Sequence, residues 1–161
     1  MSTNGAVPNG ISIVSMPYNS PDAAKLIEGL QDEYVRIYGS RDDTPVDADQ
    51  FTPPRGGFAV GYFDGTPIAI GGWRLHDDGR AELKRMYVAE AHRGNGYSRA
   101  MLQWLERSAA AAGVNVMVLE TNQQHPAALN LYLSAGYQPV PSFGYYADDP
   151  GSVYLGRDLR H

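Results

Sequence analysis

The 161-residue chain predicts an α/β fold, a mixed β-sheet with helices on both of its faces. Three observations predict it. Short apolar or alternating segments are punctuated by Asp-Gly and Gly turns, as strands are. Three such segments follow one another between residues 58 and 88, as in a meander. After them come a helical pattern, a continuous apolar run and a second helical pattern, the β-α-β order that adds a parallel strand.

The elements read as follows. Ile11 to Met16 alternates apolar and small polar residues and suits a short strand. Ser20-Pro21-Asp22 starts a helix, with Ser20 as N-cap and Pro21 in the first turn. Ala23, Leu26, Ile27, Leu30, Tyr34, Ile37 and Tyr38 recur at helical spacing, and Gly39 stops the run. Residues 40 to 57 are rich in Asp, Pro and Gly and read as a connection with one helical turn over Asp47 to Phe51. Phe58 to Phe63, Thr66 to Leu75 and Ala81 to Val88 are strands, with Asp64-Gly65 and Asp77-Asp78-Gly79 as turns between them. Tyr97, Met101, Trp104, Leu105, Ser108 and Ala112 mark one face of the next helix; Arg99, Gln103, Glu106, Arg107 and Ala110 mark the other. Val114 to Leu119 reads as a strand buried on both faces. Pro126 to Ala135 is a helix ended by Gly136, and Tyr137 to Val140 and Ser152 to Leu159 are the last strands, joined by Phe143 to Gly151.

Composition narrows the function classes. The chain has 43% hydrophobic and 19% charged residues and is long enough for one core, so a single domain over 1–161 is expected, with 1–10 flexible. A net charge of -5 argues against nucleic acid or anionic membrane as general partners. There is no cysteine, which excludes disulfides and thiol catalysis. His76, His92, His125 and His161 are scattered without metal-ligand spacing, so no metal is expected. With no signal-peptide pattern and no apolar run near a membrane span, a cytoplasmic protein is expected.

The segment Arg93-Gly94-Asn95-Gly96-Tyr97-Ser98 lies between a strand and a helix. Its glycines allow close backbone approach, and the helix start offers amides and the positive end of a dipole. That is an anion site, to which Arg93 and Arg99 could add charge. The Lys-Ser/Thr of a Walker loop and the third glycine of a dinucleotide fingerprint are both missing. Taken alone, the loop equally fits a glycine-softened turn with a surface arginine.

The loop is not alone. Glu82-Leu83-Lys84-Arg85-Met86-Tyr87-Val88 followed by Arg93-x-x-Gly96-x-Ser98 resembles motif A of the GNAT superfamily of N-acetyltransferases. Ala128-x-x-Leu131-Tyr132-x-x-x-Gly136-Tyr137 resembles motif B of the same superfamily. The resemblance covers about residues 58 to 159. Ser98 stands where Gly or Ala is usual, and His125 where motif B often has Asn.

The resemblance implies a GNAT-like central mixed sheet whose central strands splay, with a cofactor-binding core over about 58–140 and acetyl-CoA as the cofactor. It implies that Met86, Tyr87 and Val88 hold the pantetheine arm, with the Val88 amide as oxyanion donor, and that Gly94, Asn95, Gly96, Tyr97, Ser98 and Arg99, with Arg93, form the pyrophosphate site. Tyr132 matches the family's general acid. Glu82 matches a position of the general base, and Glu120, at the end of the buried strand, competes with it as base or ammonium anchor. Thr121, Asn122, Tyr145 and Tyr146 could line the acceptor cleft; Tyr34 and Tyr38 are read first as core. The expected activity is direct acetyl transfer to a primary amine of a small molecule or peptide. A non-catalytic acyl-CoA sensor is the alternative. The acceptor is open, acidic residues such as Asp47, Asp49, Asp148 and Asp149 fit a cationic amine or plain solubility, and a homodimer is one option for assembly.

Overall fold

The computed structural model describes residues 10–145, 147 and 149–160. Strand β1 (Ile11–Ser15) leads into helix α1 (Pro21–Tyr38). Ser20 caps α1 by accepting from the Ala23 amide, and Gly39 closes it in the left-handed conformation at φ 85°. A 3-10 turn (Ala48–Phe51), capped by Asp47, replaces the single helical turn expected there. The meander follows as β2 (Gly56–Phe63), β3 (Thr66–Leu75) and β4 (Ala81–Val88). Then come α2 (Tyr97–Ala111), β5 (Val116–Asn122), α3 (Pro126–Ser134), β6 (Gln138–Pro139) and β7 (Ser152–Asp158).

The seven strands form one sheet in the order β1-β2-β3-β4-β5-β7-β6. All neighbours are antiparallel except β4 and β5, which run parallel. Helices cover both faces, as the sequence predicts. On the α2 side, Ile11, Ile13, Ala69, Trp73, Leu83, Met101, Leu105, Met117 and Leu119 form the larger core. On the α1 side, Ala23, Leu26, Phe51, Phe58, Val60 and Ile70 form the smaller one. Alternate residues of β2 to β5 feed the two cores in turn. Full burial of each aliphatic side chain contributes about 1.5–3 kcal/mol.

Two features differ from expectation. The fifth strand begins at Val116 and runs through Glu120, Thr121 and Asn122, two to three residues later than its apolar run suggests. Its polar end is strand because β7 pairs with it along its whole length, Val116↔Asp158 to Asn122↔Ser152. The buried face of α2 is also rotated: Leu102, Glu106 and Ala109 join Tyr97, Met101 and Leu105 inside, whereas Ala112 is exposed. Glu106 tolerates burial because it accepts from Tyr137 Oη at 2.8 Å and Arg157 Nη1 at 2.8 Å.

What positions the site is the parting of β4 and β5. Their parallel pairing consists of Ala81↔Met117 and Glu82↔Val118 only. Beyond it, β4 carries a bulge opposite β3, where the register shifts between Ile70 and Gly72 and Arg85 takes a left-handed φ of 63°. A bulge adds twist and bends its strand. Here β4 bends away from β5, and the C-terminal ends of the two strands enclose a gap.

Candidate active site

The gap opens into a cleft of about 560 Å³. Its walls come from β4 (Leu83 to Met86), β5 and the turn after it (Leu119 to His125), α1 (Leu30, Tyr34, Tyr38), α3 (Ala128, Tyr132) and the segment around Asp149. Of the residues expected to act, Glu120, Thr121, Asn122, Tyr132 and Met86 meet here.

Tyr132 is 7% exposed and packs edge-on against Tyr137 at 5.8 Å between ring centroids. Burial pushes its phenol above the ordinary tyrosine value, so it holds its proton at neutral pH. Glu120 accepts from Ser152 Oγ at 2.7 Å. Burial pushes its carboxyl up as well; the Ser152 bond and the Lys84 charge oppose that, and Asp42 and Asp149 add to it.

Glu82 lies elsewhere. Its side chain is 8% exposed, outside the cleft lining, and Oε1 takes Arg74 Nε at 3.1 Å and His76 Nε2 at 2.8 Å. Burial alone would raise its carboxyl, but His76, Lys84 and Arg74 outweigh it and hold the group below its ordinary value. Tyr145 is 60% exposed and does not line the cleft, and Tyr146 lies outside the described residues. Tyr34 and Tyr38, read first as core, are half-buried and form the α1 wall, with ring centroids 5.5 Å apart.

The glycine loop Arg93 to Ser98, expected to bind phosphate, follows the C-terminal end of β4. Gly94 and Gly96 have φ of 84° and 80°, and Gly96 caps α2 without any side-chain bond to the first turn. A helix leaves its first-turn amides outside its own ladder, so an uncapped start is suited to an anion. A Cβ on Gly94 would meet nothing within 4 Å, so the loop is open on that side. The arginines are engaged with the protein. Arg93 Nε donates to the Val88 carbonyl at 2.9 Å, and Nη2 to Glu33 Oε2 at 2.6 Å. Arg99 Nη2 donates to Ser134 Oγ at 2.6 Å.

The Arg93–Val88 bond also shows how β4 presents its edge. The Ala89 amide donates to Ile68 of β3. Across a trans peptide the Val88 carbonyl must then point the other way, into the gap. In an extended strand the Val88 amide shares that direction, and Met86 repeats it two residues earlier.

The sequence reading missed several residues on this site. Lys84, Arg85 and Asp42 form a buried cluster in the cleft. Asp42 is held far below the usual carboxylate range: burial alone would raise it, but Lys84, Thr44 and Arg85 prevail. It sits in a polar stretch where an Asp reads as solvated, and only its partners reveal it. Glu33 is another: buried on α1, it takes Arg93 and lies 3.9 Å from His125 Nε2. Burial pushes its carboxyl up, but the nearby His125 and the bonded Arg93 hold it below its ordinary value. His125 uses Nδ1 to accept from the Ala128 amide and so caps α3 in place of the usual Asn. Among the described residues no cluster of His, Cys, Asp and Glu could hold a metal ion, and no helix is long and apolar enough to cross a membrane.

An uncapped helix start beside two parted parallel strands, with a protonated tyrosine and a carboxyl in the gap, is the arrangement that the sequence resemblance to acetyl-CoA-dependent acyltransferases implies. Comparison with known proteins agrees. The model of the acetyltransferase (GNAT) family matches residues 24–137, and the chain belongs to that family. It is 29% identical to the IAA acetyltransferase of Azospirillum brasilense over 136 residues, 84% of this chain and 89% of that one. A candidate acyl-CoA N-acyltransferase from Klebsiella pneumoniae superimposes with a TM-score of 0.80 at 26% identity, covering 93% of this chain and 98% of the other. A GNAT acetyltransferase from Elizabethkingia anophelis solved with acetyl-CoA bound shares the fold at a TM-score of 0.69 and 16% identity, over 93% and 99% of the two chains. Acetyl-CoA is the cosubstrate of this family and of this chain.

Proposed function

We propose that the protein transfers the acetyl group of acetyl-CoA directly to a primary amine of a small molecule or peptide, with Glu120 as general base and Tyr132 as general acid. The single observation that carries this reading is their shared position. Both line the cleft where β4 and β5 part.

The residues present fit the cosubstrate. The amides from Gly94 to Arg99 receive its pyrophosphate, and the glycine geometry keeps that approach clear. Because Arg93 and Arg99 have protein partners, the backbone supplies most of the anion contact and Arg93 acts as a latch. The open edge of β4 at Met86 and Val88 gives amides that hold the pantetheine arm and polarise the acyl carbonyl. Acetyl-CoA supplies an activated thioester; everything else falls to the chain. Glu120 takes the proton of the incoming ammonium, directly or through one water. Tyr132 keeps its proton until the departing sulfur needs it, as its raised pKa allows. Glu82, the other candidate base, is occupied by Arg74 and His76 and serves the sheet.

A pH profile tests the assignment. A base must be ionised, and burial raises Glu120, so the acid limb of kcat/KM lies above the ordinary glutamate value. Glu120→Gln lowers kcat by about 10²–10⁴-fold and removes that limb. A Glu120→Gln variant with the wild-type profile would exclude Glu120.

A further inference from the structure

The α1 side of the cleft holds two buried cations and one carboxylate. Lys84 and Arg85, with side chains 9% and 3% exposed, both bond to Oδ2 of Asp42. Oδ1 of Asp42 is already taken by the amide and hydroxyl of Thr44. Glu82, the other carboxylate on this face of β4, accepts from Arg74 and His76. Lys84 therefore has three N–H donors and, among the described residues, one hydrogen-bond partner at 3.3 Å. The Nε of Arg85 is buried with no partner at all among the described residues. Glu82 and Glu120 act on Lys84 through space and Tyr18 acts on Arg85, but neither of those carboxylates bonds to the pair, so the cluster is short of acceptors, which is costly in a buried site.

Register places a carboxyl opposite. Glu82↔Val118 is the last bonded pair of β4 and β5. Two residues further along each strand, on the same face, stand Lys84 and Glu120. Both line the cleft, and no ion pair within 4 Å joins them among the described residues. A cation and a carboxyl thus flank the start of the gap with room between them.

We propose that Lys84 and Glu120 together select a zwitterionic acceptor, an α-amino acid or close analogue. Lys84 holds the acceptor's carboxylate, and Glu120 takes the amine that lies two bonds away. The inference rests on the amine-acetylation reading and names its acceptor class. The α-carboxylate supplies the acceptors that the cluster lacks. Tyr34 and Tyr38 form the wall on which the amino-acid side chain packs. Burial pushes the Lys84 ammonium down, while Asp42 and Glu82 oppose this; a bound carboxylate acts in the same sense as those two.

Matched acceptors test the proposal: an L-amino acid, its carboxamide, and the amine lacking the carboxyl group. Thiol release from acetyl-CoA is followed, with rates compared per fraction of free base. For wild type the free acid gives a kcat/KM at least about tenfold above either partner. Lys84→Met and Lys84→Gln, checked for folding by thermal melts, bring that ratio toward one, mainly through KM. Equal rates for the three compounds on wild type would overturn the proposal without recourse to any variant. An undiminished preference for the acid in folded Lys84→Met would do the same. If no amine is acetylated although acetyl-CoA binds, the amine-acetylation reading itself fails, and this inference with it.

Discussion

At the scale of single residues, environment separates groups that look alike in the sequence. Glu82 and Glu120 are both strand carboxylates on one sheet face. One is held ionised by His76, Lys84 and Arg74, and the other is raised by burial, with Ser152 as its hydrogen-bond donor among the described residues. Glu82→Gln should therefore act on stability and Glu120→Gln on turnover. Thermal melts paired with initial rates separate the two. Tyr132→Phe keeps the ring against Tyr137 and removes the hydroxyl that would donate the proton. It should lower kcat by about 10²-fold with acetyl-CoA affinity changed by no more than about twofold. Titration calorimetry beside steady-state kinetics reads both numbers. Asp42→Asn strips the buried Lys84 and Arg85 of their shared counter-charge, a loss on the order of 3–5 kcal/mol by analogy with broken buried pairs. The pH dependence has a definite sign. The folded-state value for Asp42 lies below its unfolded one, so its contribution is present above the unfolded value and disappears as pH falls through the folded one. Acid unfolding monitored by fluorescence should show Asp42→Asn losing less stability than wild type below about pH 4.

At the scale of elements, the site depends on three local interruptions. The Arg85 bulge ends the β4–β5 ladder, the uncapped start of α2 offers its amides, and the α2 side of the sheet accommodates the helix closely. Gly71, opposite the bulge, allows that approach: a Cβ there would lie 2.6 Å from Leu105 Cδ1 and 3.0 Å from Met86 Sδ. Gly71→Ala should cost roughly 1–3 kcal/mol and shift Met86 in the cleft. Denaturant titration and acetyl-CoA affinity would both report it. At Gly96 a glutamate meets two penalties, the left-handed backbone and a negative charge at the anion site. Gly96→Glu should weaken acetyl-CoA binding by at least about tenfold in calorimetry. The motifs around β4, α2 and α3 made these elements legible, because their glycines, alternation and helical spacing are local signals. The gap itself was implied by resemblance, not by periodicity. The bulge was not legible, since nothing about an arginine announces a left-handed φ. Nor was the polar end of β5, which is strand because β7 pairs with it.

At the scale of the whole molecule, strand order decides which residues meet. Placing β5 beside β4 and β7 beside β5 brings Ser152 to Glu120, and folding α1 over the same face brings Tyr34, Tyr38 and Glu33 to the cleft and the phosphate loop. The cosubstrate was legible through two contiguous motifs, Glu82 to Ser98 and Ala128 to Tyr137, whose resemblance to one family turned a bare anion loop into a coenzyme A site. On the acceptor side Glu120, Thr121 and Asn122 were legible from their place at the end of β5, whereas Asp42, Lys84 and the wall formed by the α1 tyrosines were hidden because they are distant in the chain and share no motif. Acetyl transfer to amines is the activity proposed for this cleft. The most direct measurement is thiol release from acetyl-CoA across an amine panel, with the acetylated product quantified by mass spectrometry. Release should require an amine and match the acetylated product one for one. Saturable acetyl-CoA binding without amine-dependent release, for every amine in the panel, would contradict it and leave an acyl-CoA-binding module.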